Sequence, residues 1–215
     1  MTDNVAQYIY HDAAPAWANA YLWPVVQENA QRVKSRLQSP GRSNPRAFDL
    51  GCGNGATAGM LSGLGFDVVG VDTSESGIAL ARAAYPACHF EVASAYDDLA
   101  GRFGQFSLVV SLEVVEHLYF PRKFAKAVND LLEPAGTAII STPYHGYLKN
   151  LALAITGKMD KHFTALWDGG HIKFFSKTTL RELLTEAGLQ DIRFVRVGRI
   201  PPLAKSMIAI ARKRA

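Results

Sequence analysis

Two aspartates flank a glycine-rich turn in the first third of the chain. The run DLGCGNG begins at Asp49, and its glycines are Gly51, Gly53 and Gly55. Glycine lets the backbone adopt unusual angles and approach a ligand closely, and a helix N-terminus after the turn offers free N–H groups. Asp72 ends the next apolar strand, 21 residues after Gly51, where a carboxylate accepts hydrogen bonds from ribose hydroxyls. The spacing therefore predicts a site for a nucleoside-containing cofactor.

Two classes of cofactor fit this pair of motifs. Residues 51–56 also satisfy the G-x-G-x-x-A form of the dinucleotide fingerprint, which suits a nicotinamide-dependent oxidoreductase. The Asp49 carboxylate favours the ammonium group of a methionine moiety, because beside a pyrophosphate it would add repulsion. An antiparallel ending of the sheet, predicted below, is also unusual for a dinucleotide domain. The residues favour the methionine-bearing cofactor and leave the dinucleotide as the alternative.

Short apolar strands alternate with helices through the middle of the chain. Strands are predicted at residues 47–50, 67–72, 89–92, 106–112 and 137–141, and helices at 56–63, 75–84 and 122–132. Gly65 and Gly136 are placed where the chain leaves helices. This alternation predicts an α/β fold, with a parallel sheet covered by helices on both faces.

The last forty residues follow a different pattern. A helix opens at Ser176 as N-cap and closes at Gly188, and two strand-like segments follow at residues 191–197 and 207–211. The loop between these segments is too short for a parallel crossover, so they form an antiparallel pair at a sheet edge. We expect a Rossmann-like, doubly wound sheet of seven strands, mostly parallel, with an antiparallel C-terminal hairpin.

We expect one domain over residues 1–215, in four parts. Residues 1–45 form a helical cover, with Pro24 breaking it into two helices and a loop at residues 39–45. The parts that follow are a cofactor-binding core at 46–142, a substrate-shaping insertion at 143–175, and the C-terminal helix and hairpin at 176–215.

Composition narrows the classes of function. The net charge is +4 and the basic residues are spread along the chain, without the interleaved aromatics of a nucleic-acid surface. The longest apolar stretches are far shorter than the ~20 residues needed to cross a bilayer, and the first residues lack a secretory pattern, so we expect a cytoplasmic protein. Cys52 and Cys88 have neither the number for a disulfide framework nor the spacing of a metal site.

Three motifs together resemble a known family. Residues 48–55, 69–74 and 110–118 look like successive motifs of the class I S-adenosylmethionine-dependent methyltransferases. Residues 141–143 and the later helix resemble the ubiquinone-biosynthesis O-methyltransferase-like group. The resemblance extends over residues 48–188. It implies S-adenosylmethionine as cofactor, S-adenosylhomocysteine (SAH) as its product, and a small-molecule or lipid-like acceptor.

The resemblance also implies residue roles at the cofactor site. Asp49 would face the methionine end and Asp72 would hold the ribose. Thr73 and Ser74 would lie near the adenosine. The backbone of Gly51, Cys52 and Gly53 would line the cofactor.

The adenine contact departs from the family pattern. Where the family often has an acidic residue followed by a small one, this chain has Ser94 and Ala95, with Asp97 near enough in sequence to substitute. Leu112 and Glu113 would complete the wall at the end of the fourth strand.

Three histidines are candidates for a general base toward an oxygen nucleophile, because imidazole titrates near neutral pH. His117 follows Glu116 after the fourth strand, His145 follows Pro143, and His171 lies in an aromatic run at residues 167–175. Each has a structural alternative: a hydrogen bond that fixes the loop, an exposed loop position, or a cap on a buried loop.

Two groups of apolar residues have open roles. Tyr8, Tyr10, Trp17 and Tyr21 form either a lid over the cofactor or part of the core. Leu148, Leu151, Ala152 and Ile155 contact a hydrophobic substrate, a membrane surface or a dimer partner, or they belong to ordinary packing. The protein is expected to be a monomer or a homodimer. A non-catalytic cofactor-binding regulator is the alternative from a different class.

Overall fold

The computed structural model describes residues 8–37 and 44–215. The strands are β1 (Arg46–Leu50), β2 (Asp67–Asp72), β3 (His89–Val92), β4 (Phe106–Leu112), β5 (Leu132–Pro143), β6 (Leu189–Val197) and β7 (Ser206–Lys213). The helices are α1 (Asn19–Leu37), α2 (Ala56–Gly63), α3 (Glu75–Ala84), α4 (Leu99–Phe103), α5 (Pro121–Leu131), α6 (Tyr147–Ile155), α7 (Met159–Phe163) and α8 (Lys177–Glu186). Short 3₁₀ turns lie at Val115–His117 and Pro201–Leu203.

One seven-stranded sheet organises the molecule, in the order β3-β2-β1-β4-β5-β7-β6. Strands β1 to β5 pair in parallel, and β7 pairs antiparallel with both β5 and β6. This confirms the predicted Rossmann-like sheet with an antiparallel C-terminal hairpin. The chain reverses its direction of winding between β1 and β4, and ligands of open parallel sheets bind outside the strand ends at such a point.

The two faces of the sheet bury separate apolar layers. Phe48 and Phe106 belong to the layer that packs under α5 and α8, whereas Ala47 and Leu108 belong to the layer under α1, α2 and α3. Neighbouring residues of one strand point to opposite faces, so a strand buried on both sides is apolar throughout. This explains why β1 and β4 carry apolar residues on both of their faces.

The predicted break of the N-terminal cover at Pro24 is wrong. Helix α1 continues through Pro24, and the described residues before it, 8–18, are not helical. A proline inside a helix costs about 3 kcal/mol. The buried stripe at Leu22, Val26, Ala30 and Val33 repeats every three to four residues and packs on the sheet, and this burial offsets the cost.

The exit from α5 also differs from the prediction. Gly136 does not follow a helix but lies inside β5, which begins at Leu132 directly after α5. Ala135 adopts a positive φ of 61°, and the register between β4 and β5 shifts in the same region. The chain therefore enters the sheet through an irregular turn, which the periodicity of the sequence does not reveal.

Three further sequence predictions concern a short helix, a loop and the length of the apolar segments. The short helix α4, capped by the Asp98 side chain, was missed because five residues carry no helical period. Most of the loop predicted at residues 39–45 lies outside the described residues. Within the described part of the chain, the longest apolar helix falls short of what a bilayer span requires.

Candidate active site

The glycine turn after β1 is built so that only glycine fits at its key positions. Gly51 has a φ of 80°, and a Cβ there would overlap the side chain of Val114. Gly53 has a φ of 53°, and a Cβ there would overlap the Tyr10 hydroxyl. The left-handed backbone is strained for any other residue. The turn thus brings its backbone close to two neighbouring segments at the carboxyl end of β1.

The Asp72 carboxylate connects the glycine turn to the start of α3 through two hydrogen bonds. Its Oδ2 accepts a hydrogen bond from the Gly53 N–H at 2.8 Å, and its Oδ1 accepts one from the Ser74 N–H at 2.9 Å. Burial raises the pKa of this carboxyl group, although both backbone N–H groups stabilise its charged form. Each carboxylate oxygen keeps a second lone pair, so Asp72 can still accept hydrogen bonds from a ligand.

A cavity of about 640 Å³ opens at this end of the sheet. Its size falls in the ~300–1,000 Å³ range of small-molecule and cofactor sites. The residues predicted from sequence that line it are Gly51, Asp72, Thr73, Ser94, Ala95, Leu112, Glu113 and His117. Lid candidates Tyr8 and Tyr10 also line it, together with Asn19 and Leu22 of α1.

Asp49 lies beneath the glycine turn and not on the cavity wall. It is 2 % exposed, and its Oδ2 has no hydrogen-bond partner among the described residues. Burial, reinforced by the nearby Asp72 charge, raises its pKa to about 7. An unpaired buried carboxylate is costly, so a cationic ligand group reaching it would be stabilised. Cys52, Gly53 and Gly55 also belong to the turn without lining the cavity.

The turn after β3 holds Ser94 and Ala95 on the cavity wall. Asp97 does not line the cavity, because its Oδ2 accepts the Ser94 N–H at 2.9 Å and so closes this turn. Ser94 Oγ in turn accepts the Tyr96 N–H at 3.2 Å.

Glu113 sits at the end of β4 in a strained backbone conformation, with a φ of 56°. Its carboxylate accepts hydrogen bonds from the hydroxyls of Ser141, at 2.7 Å, and Ser206, at 3.1 Å. Such a conformation costs on the order of 1–3 kcal/mol in a residue other than glycine and concentrates at functional sites. The two serines belong to β5 and β7, so the antiparallel hairpin helps to hold this carboxylate at the cavity.

His117 reaches the cavity from the 3₁₀ turn after β4. Its Nδ1 lies 2.9 Å from the Gly169 carbonyl oxygen and 3.2 Å from that of Gly170. Carbonyl oxygens only accept, so Nδ1 carries the proton and Nε2 of the neutral ring is left as a proton acceptor. The insertion therefore fixes the tautomer of His117.

The insertion is fastened to this same turn. The backbone N–H groups of Ile172 and Lys173 both donate to the Glu116 carbonyl oxygen at 2.9 Å. The His171 ring lies 4.9 Å from the His117 ring, and burial, with His117 as the next cause, lowers the pKa of His171 to about 4. Trp167 packs against both rings.

Glu116 was not singled out from the sequence, yet it is the most deeply buried acid near the cavity. It is completely buried, and neither carboxylate oxygen has a hydrogen-bond partner in the described part of the chain. Burial first, and then the Glu113 charge, raise its pKa well above the ordinary range. Glu116, His117 and His171 each place one potential ligand atom within 4.8 Å of the others.

His145 lies elsewhere. It is 8 % exposed and packs among the aromatic rings of His162, Phe163 and Phe174, outside the cavity lining. Burial, with the Lys149 charge next, lowers its pKa to about 4. Of the three candidate histidines, the structure brings His117 and His171 together and leaves His145 in a separate cluster.

The Rossmann-like sheet and its cavity at the switch point define a class of protein that binds a nucleoside-containing cofactor. A family model described as a methyltransferase domain matches residues 23–193, so the chain belongs to this family and is an S-adenosylmethionine-dependent methyltransferase.

Named relatives are similar in sequence over most of the chain. The ubiquinone biosynthesis O-methyltransferase of Ruegeria pomeroyi is 34 % identical over 152 residues, which cover 68 % of this chain and 60 % of that protein. The protein of the same name from Dinoroseobacter shibae is 33 % identical, over 78 % of this chain and 69 % of its own length.

A solved structure shares the fold at low sequence identity. Magnesium protoporphyrin IX methyltransferase from Synechocystis PCC 6803, with bound SAH, has a TM-score of 0.63 at 20 % identity and covers 95 % of this chain and 90 % of its own.

Proposed function

We propose that this methyltransferase transfers a methyl group to a hydroxyl oxygen of an amphipathic, ring-bearing small molecule. The observation that carries the proposal is one cavity lined by two unlike sets of residues. Gly51, Asp72 and Ser94 follow strands β1 to β3 and define what we call the donor half, whereas His117 and Trp167 come from the turn after β4 and the segment bonded to it and define the acceptor half. The first half suits a nucleoside, and the second offers a proton acceptor beside an aromatic wall.

The chemistry of the side chains in the donor half assigns each of them to one part of the cofactor. Asp72 accepts the ribose hydroxyls, because it lines the cavity with lone pairs unused. The buried, unpaired Oδ2 of Asp49 receives the ammonium group of the methionine moiety. Ser94 Oγ, and not Asp97, accepts the adenine amine, since the Asp97 carboxylate closes its own turn.

His117 is the proposed general base. When bound, S-adenosylmethionine supplies an electrophilic methyl group, so the protein's work is to place the nucleophile in line and exclude water. The tautomer fixed by Gly169 and Gly170 leaves Nε2 of His117 to accept the hydroxyl proton of the acceptor. His171 packs on the same ring and limits its rotation.

An apolar rim surrounds the acceptor half and accounts for an amphipathic acceptor. Tyr119, Trp167 and Ile172 line the cavity and are also exposed, and Leu166 beside them is 98 % exposed. On α6, Tyr147 and Ile155 are 79 % and 76 % exposed. Exposed apolar side chains of this size suit an acyl tail or a membrane surface in peripheral contact.

The relatives support an oxygen acceptor. Three proteins called ubiquinone biosynthesis O-methyltransferases match 68–84 % of this chain. The insertion that lines the acceptor half is where specificity within a shared fold is decided.

A matched panel of acceptors tests the proposal. SAH formation is measured with a catechol and an aniline, each with and without a long alkyl tail. We expect turnover of the catechols alone, with a lower KM for the tailed one. Turnover of the anilines alone would contradict oxygen transfer, and SAH binding without turnover of any acceptor would favour the non-catalytic alternative.

A further inference from the structure

A second groove lies at the edge of the sheet opposite the methyl-transfer cavity. It has a volume of about 730 Å³ and is lined by the C-terminal half of α1 and by β5, β6 and β7. Thr137, on its floor, lies six residues before the end of β5, or ~20 Å along an extended strand. The groove is therefore separate from the cofactor cavity.

Four arginines line this groove, which we call the arginine groove: Arg32, Arg36, Arg193 and Arg212. The acids in the same lining are Glu28 and Asp191. Glu28 is paired with Arg32 along α1. Within residues 8–37 and 44–215, the other three arginines make no ion pair within 4.0 Å. The groove thus carries an excess of positive charge.

Neutral hydrogen bonds hold the arginines in place. Arg36 donates to the Thr137 hydroxyl at 3.0 Å, and Arg193 donates to Asn29 Oδ1. Arg212 lies opposite Thr137 in the β5–β7 ladder, so the pairing of the strands sets it beside Arg36. The fold orders these guanidinium groups without neutralising them.

Two further observations indicate that an anion in this groove would be stabilised. Burial, followed by the Arg212 charge, lowers the pKa of Arg36. The Nε of Arg212 is buried and has no hydrogen-bond partner among the described residues. An anion in the groove would offer an acceptor for that N–H and would relieve the repulsion.

We propose that the arginine groove binds a phosphate-bearing ligand. Arginine forks match phosphate oxygens in bidentate geometry, and several forks around one groove favour a ligand with more than one anionic oxygen group. Free phosphate compounds and lipid headgroups share this chemistry. The site is independent of the methyl acceptor, and α1 touches both sites through Asn19 and Leu22 at one end and Arg36 at the other.

The test compares two variants with equal loss of charge. R36Q/R193Q removes two groove arginines, whereas R122Q/K126Q removes two exposed cations of α5 on the other face of the sheet. Calorimetry with pyrophosphate is run on the full chain, and co-sedimentation uses phosphatidylcholine vesicles with and without ~30 % phosphatidylglycerol. SAH affinity and the thermal midpoint serve as checks of folding.

Either of two results supports the proposal. Pyrophosphate affinity about tenfold weaker in R36Q/R193Q alone assigns a soluble phosphate compound, and loss of the phosphatidylglycerol-dependent sedimentation in that variant alone assigns a headgroup. If R36Q/R193Q is unstable, R36K/R193K keeps the charge and should lose part of the affinity, because lysine lacks the fork. Equal behaviour of the groove and α5 variants in both assays would overturn the proposal.

Discussion

Asp49 is a buried carboxyl group whose charge costs stability, and by our proposal that charge binds the methionine moiety. Its pKa of about 7 lies above the ordinary 3.8, so the folded state holds the proton more tightly than the unfolded state does. The contribution to stability is full below pH 3.8 and is lost as the pH rises through 7, a change of up to about 4 kcal/mol.

Asp49→Asn should therefore stabilise the ligand-free protein at pH 8 and change little at pH 4, because a neutral amide does not titrate. The free energy of unfolding, measured in urea at both pH values, checks this. Asp160→Asn on α7 is the control, since that carboxylate is exposed. Equal stability of Asp49→Asn and wild type at pH 8 would show that the Asp49 charge carries no cost.

The same Asp49→Asn variant should bind S-adenosylmethionine more weakly, because the ammonium group loses its partner.

His117→Asn tests the proposed base. We expect kcat to fall by about 10²–10⁴ while SAH affinity stays the same, because the ring acts on the acceptor and not on the donor. The measurement is the initial rate of SAH release with the tailed catechol. His145→Asn is the matched control, since His145 lies outside the cavity lining.

Treatment with a chelator distinguishes two roles of His117: a general base, and a ligand of a metal cation held together with Glu116 and His171. The base role predicts an unchanged rate after treatment with EDTA. Loss of activity that added divalent ions restore would instead assign Glu116, His117 and His171 to an ion and remove His117 as the base.

At the scale of elements, Pro24 destabilises helix α1, and substitution of this residue should remove that destabilisation. Pro24 is exposed within the helix and leaves the Ala20 carbonyl without its helical N–H donor. Pro24→Ala should raise the free energy of unfolding by about 1–2 kcal/mol, the restored bond being partly offset by a freer unfolded chain. Urea denaturation measures this, and a destabilised variant would mean that α1 has adapted its packing to the ring.

Sequence predicts the elements well where their pattern is regular. The apolar runs of β1, β2 and β4 and the Ser176 cap of α8 are local signals, and the structure confirms them. Local signals failed at Pro24, where packing of α1 on the sheet outweighs intrinsic preference, and at Gly136, where an irregular turn leads from α5 into β5.

At the scale of the whole molecule, the strand-end motifs predicted where the cavity lies, because the topology of a parallel sheet brings strand ends together. Gly51, Asp72 and Glu113 all line it. Sequence could not separate His145 from His171, since both lie in one irregular insertion. Only the contact of residues 169–173 with the turn after β4 decides which one meets His117, and nothing in the sequence marks that long-range contact.

Calorimetric titration of SAH into wild type and Asp72→Asn tests the central claim most directly, that this cavity holds the methyl donor. We predict one SAH bound per chain and an affinity at least about tenfold weaker in Asp72→Asn, because a charged acceptor of the ribose hydroxyls is lost. NAD titrated under the same conditions should release no heat of binding. Unchanged SAH affinity in Asp72→Asn, or tighter binding of NAD than of SAH, would contradict the account.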